Sequence, residues 1–222
     1  MNHPRASRHN WLIYKVLDPE IQQAASRYAK GKMLDVGCGV KPYREMFAPY
    51  VTEHIGLDHE ASFHGTHEVD IFGPADHIPC GDGLFDTVLC TEVLEHLEDP
   101  ARAIGEMSRV LKVGGHCILT TPFFWHIHEA PRDFFRFSRY GLQYLFESHG
   151  FSVIELRAVS GFWVTFCQEL AYYLCKFLRI PVLNIIVEIL IWLAQVIGFL
   201  LDKIDRDENF ATEYIIVGQK KI

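Results

Sequence analysis

The sequence predicts an α/β fold built on a doubly wound, mostly parallel seven-stranded sheet, with helices on both faces and an apolar helical insertion before the last strand. Two observations carry this prediction. From Lys32 onwards, short apolar stretches alternate with stretches of helical spacing, and the first apolar stretch runs into the turn Asp35-Val36-Gly37-Cys38-Gly39. Such alternation is typical of a parallel sheet wrapped by helices.

The predicted elements follow from apolar periodicity and from turn residues. An N-terminal helical cap covers residues 1–31, and Pro19 is expected to break its helical stripe in two. One domain covers residues 32–157 and 210–222. Its predicted strands are 33–36, 54–57, 68–71, 87–90, 116–120, 151–157 and 214–217, and its predicted helices are 43–47, 100–111 and 138–148. Ser138 is the expected cap of the last helix.

The insertion, residues 158–209, is strongly apolar and contains two stretches of helical spacing, 161–178 and 180–201. A stripe along one face of the second stretch holds its polar residues, Asn184, Glu188, Gln195 and Asp202. About 20 apolar residues can span a bilayer, but the chain must return to the sheet for its last strand. Peripheral membrane contact, a homodimer interface and packing on the protein's own sheet are the alternatives for this segment.

The composition is that of a folded chain, with 49% hydrophobic and 22% charged residues among 222. The formal net charge of -7 argues against a nucleic-acid partner, because phosphate binding needs a concentrated basic face. The basic run at residues 5–9 lacks the apolar region of a signal peptide, and the six cysteines form no C-x-x-C pair. We expect a cytoplasmic protein, with peripheral attachment at the inner face of the membrane as one possibility.

The glycine turn predicts a ligand site. Glycines at 37 and 39 let the backbone turn tightly and approach a ligand, and Asp58 follows Asp35 by 23 residues, where a doubly wound fold presents a carboxylate to ribose. A dinucleotide enzyme would need glycine at position 42, which is Pro42 here. The other alternative is a Rossmann-like domain that has lost its cofactor.

Five motifs carry a family resemblance across residues 33–156. They are Met33-Leu34-Asp35-Val36-Gly37-Cys38-Gly39, Gly56-Leu57-Asp58, Ile78-Pro79 with Phe85-Asp86-Thr87-Val88, Glu92-Val93-Leu94-Glu95-His96-Leu97, and Leu111-Lys112-Val113-Gly114-Gly115. In this order they resemble class I S-adenosylmethionine-dependent methyltransferases, in the subgroup similar to ubiquinone and menaquinone methyltransferases.

The resemblance implies S-adenosylmethionine as the cofactor. The residues implied to bind it are Asp35, Gly37, Cys38, Gly39, Asp58, Asp76, Ile78 and Thr91. Within that set, the glycine turn would line the methionine and ribose end, Asp58 would bind the ribose hydroxyls, and the stretch around Asp76 would flank the adenine. The chain departs from the family pattern at Lys41, where a third glycine is frequent, and at Pro74, where an acidic residue is frequent.

Acceptor chemistry is expected in the loops after the fourth and fifth strands, because ligands bind at the carboxyl ends of strands in open α/β folds. The candidate catalytic residues are His96, His128 and Glu92. The spacing puts Glu92, Glu95 and His96 on one face if their segment is helical. The candidate substrate residues are His126, Glu129, Asp133 and Arg136. The alternative for this loop is a lid whose charges pair with each other.

A divalent metal is a further possibility at Glu92, Glu95, His96 and either His126 or His128, a reasonable mixture of carboxylate and imidazole ligands. A comparable E-x-x-E-H element binds metal in some ubiquinone O-methyltransferases and small-RNA 2'-O-methyltransferases. Similar sequences occur in relatives that need no metal, so capping and core hydrogen bonding of His96 is the alternative.

Together these observations predict an S-adenosylmethionine-dependent methyltransferase acting on a small or lipid-linked acceptor, most simply at oxygen. An RNA methyltransferase is one alternative, favoured by the E-x-x-E-H element and opposed by the acidic charge balance. A non-catalytic, membrane-associated binding scaffold is the other.

Overall fold

The computed structural model describes residues 8–60, 65–180 and 182–221, so residues 5–7 of the basic run lie outside it. The chain forms two compact units. The described part of the helical unit comprises residues 8–20, 123–126 and 158–213, and that of the sheet unit comprises the rest. The first part of the N-terminal helix thus groups with the apolar insertion.

Seven strands form one sheet. They are β1 (Gly31–Val36), β2 (Val51–Asp58), β3 (Ile71–Phe72), β4 (Phe85–Thr91), β5 (Leu111–Pro122), β6 (Phe151–Ala158) and β7 (Glu213–Lys220), in the order β3-β2-β1-β4-β5-β7-β6. The pairs β1–β2, β1–β4, β2–β3 and β4–β5 are parallel. Hydrogen bonds from Val159 N to Glu213 O and from Lys221 N to Gly150 O join opposite ends of β6 and β7, so these strands are antiparallel. The predicted mostly parallel, seven-stranded sheet is confirmed.

The order of the strands determines where a ligand site is expected. The chain moves outward from β1 to β3 and then crosses back to β4 on the other side of β1, where Asp35 pairs with both Gly56 and Leu89. The carboxyl ends of the parallel strands therefore meet at one edge, and the order reverses between β1 and β4. Ligands of open α/β sheets bind at such a reversal.

The central strands are buried on both faces. Leu34 and Val36 of β1, Val88 of β4 and Ile118 of β5 are each 0% exposed. Near-continuous apolar runs of this kind are expected where a parallel sheet is covered on both sides.

Three helices accompany these strands: α2 (Arg44–Phe47), α3 (Pro100–Val110) and α4 (Arg139–Ser148). The Asp99 side chain accepts a hydrogen bond from Arg102 N at the start of α3, and the Ser138 side chain accepts one from Gly141 N at the start of α4. The predicted Ser138 cap is confirmed.

The N-terminal helix α1 (Trp11–Tyr28) is continuous, so the predicted break at Pro19 is wrong. An interior proline costs about 3 kcal/mol through a lost hydrogen bond and a clash. Leu12, Leu17 and Ile21 are no more than 1% exposed, and burying each such side chain contributes about 1.5–3 kcal/mol. Burial on both sides of Pro19 therefore outweighs its penalty.

The insertion folds as a pair of helices, α5 (Phe162–Cys175) and α6 (Asn184–Asp202), with a 3-10 turn at Lys176–Arg179 between them. The predicted start of the second helix at residue 180 is wrong, because Leu183 N donates to Ile180 O in a turn before α6 begins. The two helices approach closely at Gly198, where an added Cβ would lie 2.7 Å from Cys167 Cβ. By length and composition, α6 is the one helix of the described ranges that could cross a bilayer.

Candidate cofactor and acceptor site

The turn after β1 depends on its glycines. Gly37 and Gly39 have φ values of 72° and 49°, in the left-handed region that favours glycine. A Cβ on Gly37 would lie 2.3 Å from Val93 Cγ2, so the position also leaves no room for a side chain. Gly37 N donates to Leu57 O at 2.8 Å, which ties the turn to β2.

Two carboxylates flank this turn. Asp58, at the end of β2, accepts a hydrogen bond from Gly39 N at 2.7 Å. Asp35 is 3% exposed, and its Oδ2 lies 2.8 Å from His54 Nε2. Sequence reasoning missed His54. The available signal was the pairing of Asp35 with Gly56, because His54 lies two residues before that glycine and so on the same face of β2.

Lys41 occupies the position of the frequent third glycine and keeps a left-handed backbone, with φ of 49°. Its side chain is 2% exposed, and its Nζ donates to Asp70 Oδ2 at 2.5 Å and to His54 O at 3.2 Å. Partial burial raises the pKa of Asp70. The hydrogen bond from the Gly56 amide and the Lys41 ammonium outweigh this effect and lower the pKa of Asp70 below its usual value. The departure from the family pattern thus introduces an ion pair between a buried lysine and the Asp70 side chain, which is 50% exposed.

The remaining predicted cofactor residues are placed as follows. Thr91 ends β4, and Asp76 is half-buried in the segment after β3. The Cys38 side chain is 1% exposed, and burial raises the pKa of its thiol to about 12. Ile78 is 2% exposed, and its backbone N donates to Glu106 Oε2 at 2.8 Å. Contact of these four residues with a cofactor stays a prediction, as it does for Asp35, Gly37, Gly39 and Asp58.

The E-x-x-E-H segment after β4 is a single 3-10 turn, Leu94–His96, rather than an α-helix. Glu92 precedes this turn with φ of 54°, so it does not share a helical face with Glu95 and His96. Glu95 is 0% exposed and accepts a hydrogen bond from Thr121 Oγ1 at 3.2 Å. Burial first, and then the charge of Glu92, raises the pKa of Glu95 well above its usual value.

Two histidines face this buried carboxyl. Glu95 Oε1 lies 3.6 Å from His96 Nε2 and 4.0 Å from His128 Nε2, and the imidazole centroids are 4.7 Å apart. Phe134 N donates to Glu95 O at 2.9 Å, which fixes the loop after β5 against the 3-10 turn. The structure therefore brings the predicted catalytic histidines together through a backbone contact that the sequence does not reveal.

The other ring nitrogens of both histidines are also engaged. His96 Nδ1 lies 2.5 Å from Arg132 O, and His128 Nδ1 lies 3.4 Å from Asp133 Oδ2. Burial, followed by the neighbouring His96, lowers the pKa of His128 below its usual value. The His128 imidazole is therefore neutral at pH 7, with Nε2 turned towards Glu95.

Asp133 and Arg136 pair with each other. Arg136 donates to both carboxylate oxygens of Asp133, at 2.5 and 2.8 Å, and the Asp133 side chain is 2% exposed. The Arg136 hydrogen bonds lower the pKa of Asp133 to about 2. This pair lies behind His128 and orients it, so the charges of the loop do pair with one another as the lid alternative expected.

Three of the proposed metal ligands lie together. Glu95, His96 and His128 each offer one potential ligand atom, and these three atoms lie within 4.8 Å of one another. Glu95 Oε1 is buried without a hydrogen-bond partner among the described residues, and each histidine has an oxygen beside its Nδ1, as metal-binding histidines commonly do. This donor set fits a divalent cation. Glu92 is outside the group, and His126 belongs to the helical unit, where its Nδ1 lies 3.3 Å from Glu169 Oε1.

Backbone strain is concentrated at this site. In the described ranges, the non-glycine residues with positive φ are Lys41, Glu92 and Glu129. Lys41 follows the glycine turn, Glu92 ends β4, and Glu129 lies in the loop after β5 with its Oε2 3.8 Å from His96 Nε2. Strained backbone of this kind persists where the surrounding structure holds a functional side chain in place.

The comparisons agree with the class that this geometry indicates. Residues 34–119 match the profile of a family described as a methyltransferase domain. Over these residues the match confirms the predicted methyltransferase domain, and it agrees with the predicted class I type and with S-adenosylmethionine as its cofactor.

Two curated relatives illustrate the match. The uncharacterized methyltransferase YcgJ of Bacillus subtilis is 32% identical in an alignment of 116 positions that covers 47% of this chain and 44% of the relative. The ubiquinone biosynthesis O-methyltransferase of Psychrobacter cryohalolentis is 30% identical in an alignment of 156 positions that covers 62% of this chain and 58% of the relative. The chain spans about half the length of the curated relatives that it matches.

Solved structures share the fold. The crystal structure of Bacillus subtilis YcgJ superposes with a TM-score of 0.57, covering 92% of this chain and 97% of that chain at 18% identity over the whole structural alignment. Haemonchus contortus phosphoethanolamine N-methyltransferase 2, solved in complex with S-adenosyl-L-methionine, superposes with a TM-score of 0.60, covering 97% and 56% at 14% identity.

Proposed function

We propose that this protein transfers the methyl group of S-adenosylmethionine to an oxygen atom of a small or lipid-linked acceptor. The match to a methyltransferase domain supports the reaction, and the similarity to the Psychrobacter O-methyltransferase supports oxygen as the acceptor atom. The observation that carries the proposal is the position of the His128 imidazole on the loop after β5, with Nδ1 3.4 Å from Asp133 Oδ2 and Nε2 4.0 Å from Glu95 Oε1.

The reaction is an in-line displacement. The acceptor oxygen attacks the methyl carbon, so that a C–O bond forms as the C–S bond breaks, and the sulfonium leaves as the neutral thioether S-adenosylhomocysteine. The hydroxyl proton passes to His128 Nε2, which is a competent general base because its lowered pKa leaves it unprotonated at pH 7. The Asp133 carboxylate, 3.4 Å from Nδ1, stabilises the imidazolium that forms.

A divalent cation held by Glu95, His96 and His128 would supply Lewis-acid chemistry, by lowering the pKa of the acceptor hydroxyl. His128 Nε2 cannot coordinate a cation and accept the proton of the acceptor hydroxyl at the same time, so the two roles exclude each other. The dependence of turnover on His128 and on chelators therefore separates the two routes.

The test combines cofactor binding with turnover. Calorimetry should detect S-adenosylhomocysteine binding to the native chain, and His128→Asn should leave that affinity within about twofold while lowering turnover about 10²- to 10⁴-fold. The matched control is His149→Asn, since the His149 Nδ1 lies against Leu145 O in α4, outside the site. Acceptors with a phenolic hydroxyl, a carboxyl group, an amine or an RNA 2'-hydroxyl identify the atom methylated.

Each outcome of these measurements refutes the proposal or favours one of its alternatives. A chain that binds neither S-adenosylmethionine nor S-adenosylhomocysteine refutes the proposal. Binding without turnover on any acceptor favours the scaffold alternative, and turnover on amines that His128→Asn leaves unchanged refutes transfer to oxygen. Preference for RNA would favour the RNA methyltransferase alternative, which the net charge of -7 opposes.

The apolar helical unit supports a lipid-linked acceptor within this proposal. Between residues 185 and 201, every exposed residue of α6 is apolar. By the same proposal the protein works in the cytoplasm, attached peripherally at the inner face of the membrane.

A further inference from the structure

The helices α5 and α6 expose an apolar surface, represented by Phe166 and Tyr173 of α5 and by Ile185, Ile189, Trp192 and Leu200 of α6. These six side chains are 51–71% exposed. Between residues 185 and 201, every exposed residue of α6 is apolar. Monomeric soluble proteins rarely expose a continuous surface of this kind without a partner for it.

The polar side of α6 faces the protein instead. Gln195 is 1% exposed, accepts a hydrogen bond from Leu12 N at 3.0 Å and donates to Arg8 O at 2.9 Å. Near one end of the helix, Glu188 lies 3.9 Å from Arg8 Nη1, and at the other end Asp202 accepts hydrogen bonds from backbone N–H groups at the start of α5. From Gln195 to Asp202 the helix is therefore inverted with respect to water, whereas Asn184 at its first position is exposed and the Glu188 side chain is 40% exposed.

This inversion indicates how α6 would meet a bilayer. Its 19 residues span about 28 Å, close to the hydrocarbon thickness of about 30 Å. A spanning orientation would carry Glu188, Gln195 and their partner Arg8 into hydrocarbon, which is costly for charged and polar groups. A helix lying in the membrane plane keeps that side on the protein and buries only the apolar side.

Cations border the apolar surface at both ends. Lys176 and Arg179 follow α5, and Lys203 follows α6. Lys176 Nζ lies 3.3 Å from the Tyr173 ring centroid, and Lys203 Nζ lies 4.2 Å from the Phe199 ring centroid. Lysines and aromatic rings at the edge of an apolar surface are typical of the membrane interface, where a long stem reaches the headgroups.

Some nearby acids are engaged elsewhere. Glu188 pairs with Arg8, Asp202 is 7% exposed, and Asp205 accepts a hydrogen bond from Trp163 Nε1. Beyond α5 the border is therefore cationic, in a chain whose formal net charge is -7, whereas Lys203 and Arg206 beyond α6 lie among Asp205, Asp207 and Glu208. A second copy packed parallel on this surface would set Lys176 and Arg179 against the same cations of its partner, whereas anionic headgroups complement them.

We propose that this surface lies on an anionic lipid bilayer, with α6 parallel to the membrane plane and with Lys176, Arg179 and Lys203 at the level of the headgroups. Contact with the bilayer does not require methyl transfer, so this proposal can be tested independently of the proposed activity.

The test is flotation of the full chain with phosphatidylcholine vesicles, with and without phosphatidylglycerol. The native chain should float with the mixed vesicles, and the double variant Ile189→Glu with Trp192→Glu should bind at least about tenfold more weakly. Val113→Glu is the matched control, because Val113 is a 60% exposed apolar residue of β5 in the sheet unit. It should bind as the native chain does.

The charge component is tested by changing Lys176, Arg179 and Lys203 to Gln. Each change should weaken binding to the anionic vesicles about fivefold and leave the weaker binding to phosphatidylcholine nearly unchanged. Native affinity of the Ile189→Glu, Trp192→Glu variant for S-adenosylhomocysteine shows that it is folded, so lost flotation is not lost structure.

Three outcomes would overturn the proposal. The first is a native chain that does not float with either type of vesicle. The second is a stable dimer in analytical ultracentrifugation that the Ile189→Glu, Trp192→Glu variant converts to a monomer, which would make a second copy the occupant. The third is binding that resists high salt and alkaline extraction and ignores the three Gln changes, which would indicate a spanning helix.

Discussion

Replacing Asp133 by asparagine removes one negative charge from the site while preserving the size of the side chain. In the native chain this carboxylate is 2% exposed and accepts hydrogen bonds from Arg136 and from His128 N. These interactions, with Arg136 first, lower the pKa of Asp133 from 3.8 to about 2. The difference corresponds to about 2 kcal/mol of stabilisation of the folded chain at neutral pH.

The pH dependence of this stabilisation has a definite sign. Because the folded-state pKa lies below the unfolded one, the stabilisation is complete well above pH 4 and is lost as the pH falls towards 2. Urea unfolding should give a free-energy difference between native and Asp133→Asn chains of about 2 kcal/mol at pH 7 and pH 5, and about 1 kcal/mol at pH 3. Asp82→Asn is the control, since the Asp82 side chain is 79% exposed and its substitution should give a smaller difference at pH 7.

Turnover gives a second measurement of the same substitution. The Asp133 carboxylate favours the protonated form of His128, so its removal should lower the pKa of His128 further and move the acid limb of the kcat profile to lower pH. The maximal rate should fall as well, because the imidazolium loses its counter-charge. The reasoning is refuted by a stability difference as large at pH 3 as at pH 7, or by an acid limb that does not move.

Two other predictions concern the cofactor turn and the cation site. Gly37→Ala should lower the affinity for S-adenosylhomocysteine at least about tenfold in calorimetry, because a left-handed alanine costs about 1–2 kcal/mol and its Cβ meets Val93. Adding Val93→Ala should relieve only the contact, and full recovery would contradict the backbone explanation. A titration with Mn²⁺ should show binding that Glu95→Gln weakens at least about tenfold while S-adenosylhomocysteine binding persists. Full activity after chelator treatment would exclude the cation from the reaction.

The sequence predicted the cofactor turn well because its information is local. A left-handed backbone at Gly37 and Gly39, a carboxylate at the end of β2 and the Ser138 cap each depend on a few adjacent residues. The same local reasoning failed at Pro19, where burial of distant side chains along α1 decided the outcome.

The partners of the site residues could not be predicted in this way. His54 reaches Asp35 through the register of two parallel strands, and Lys41 reaches Asp70 across 29 positions of the chain. The E-x-x-E-H spacing suggested a helical face, whereas the cluster forms because His128 arrives from another loop.

The spacing of the polar residues of α6 revealed a stripe along one side of the helix, but it did not reveal whether that side faces the protein or the solvent. Only the partners of Gln195, at Leu12 and Arg8, show that the stripe faces inward. A helix whose apolar side faces outward looks the same in sequence as one whose apolar side is buried.

The left-handed backbone at Lys41, Glu92 and Glu129 has a consequence for engineering. Glycine would adopt each conformation without the penalty of about 1–2 kcal/mol that an L side chain carries. Selection for thermal stability alone would therefore favour glycine at Glu92 and Glu129, and a more stable variant obtained that way would have lost two carboxylates from its site. At Lys41, glycine would also remove the buried ammonium that pairs with Asp70. A stabilised variant of this protein should be sought elsewhere on the sheet unit, with these three positions held fixed.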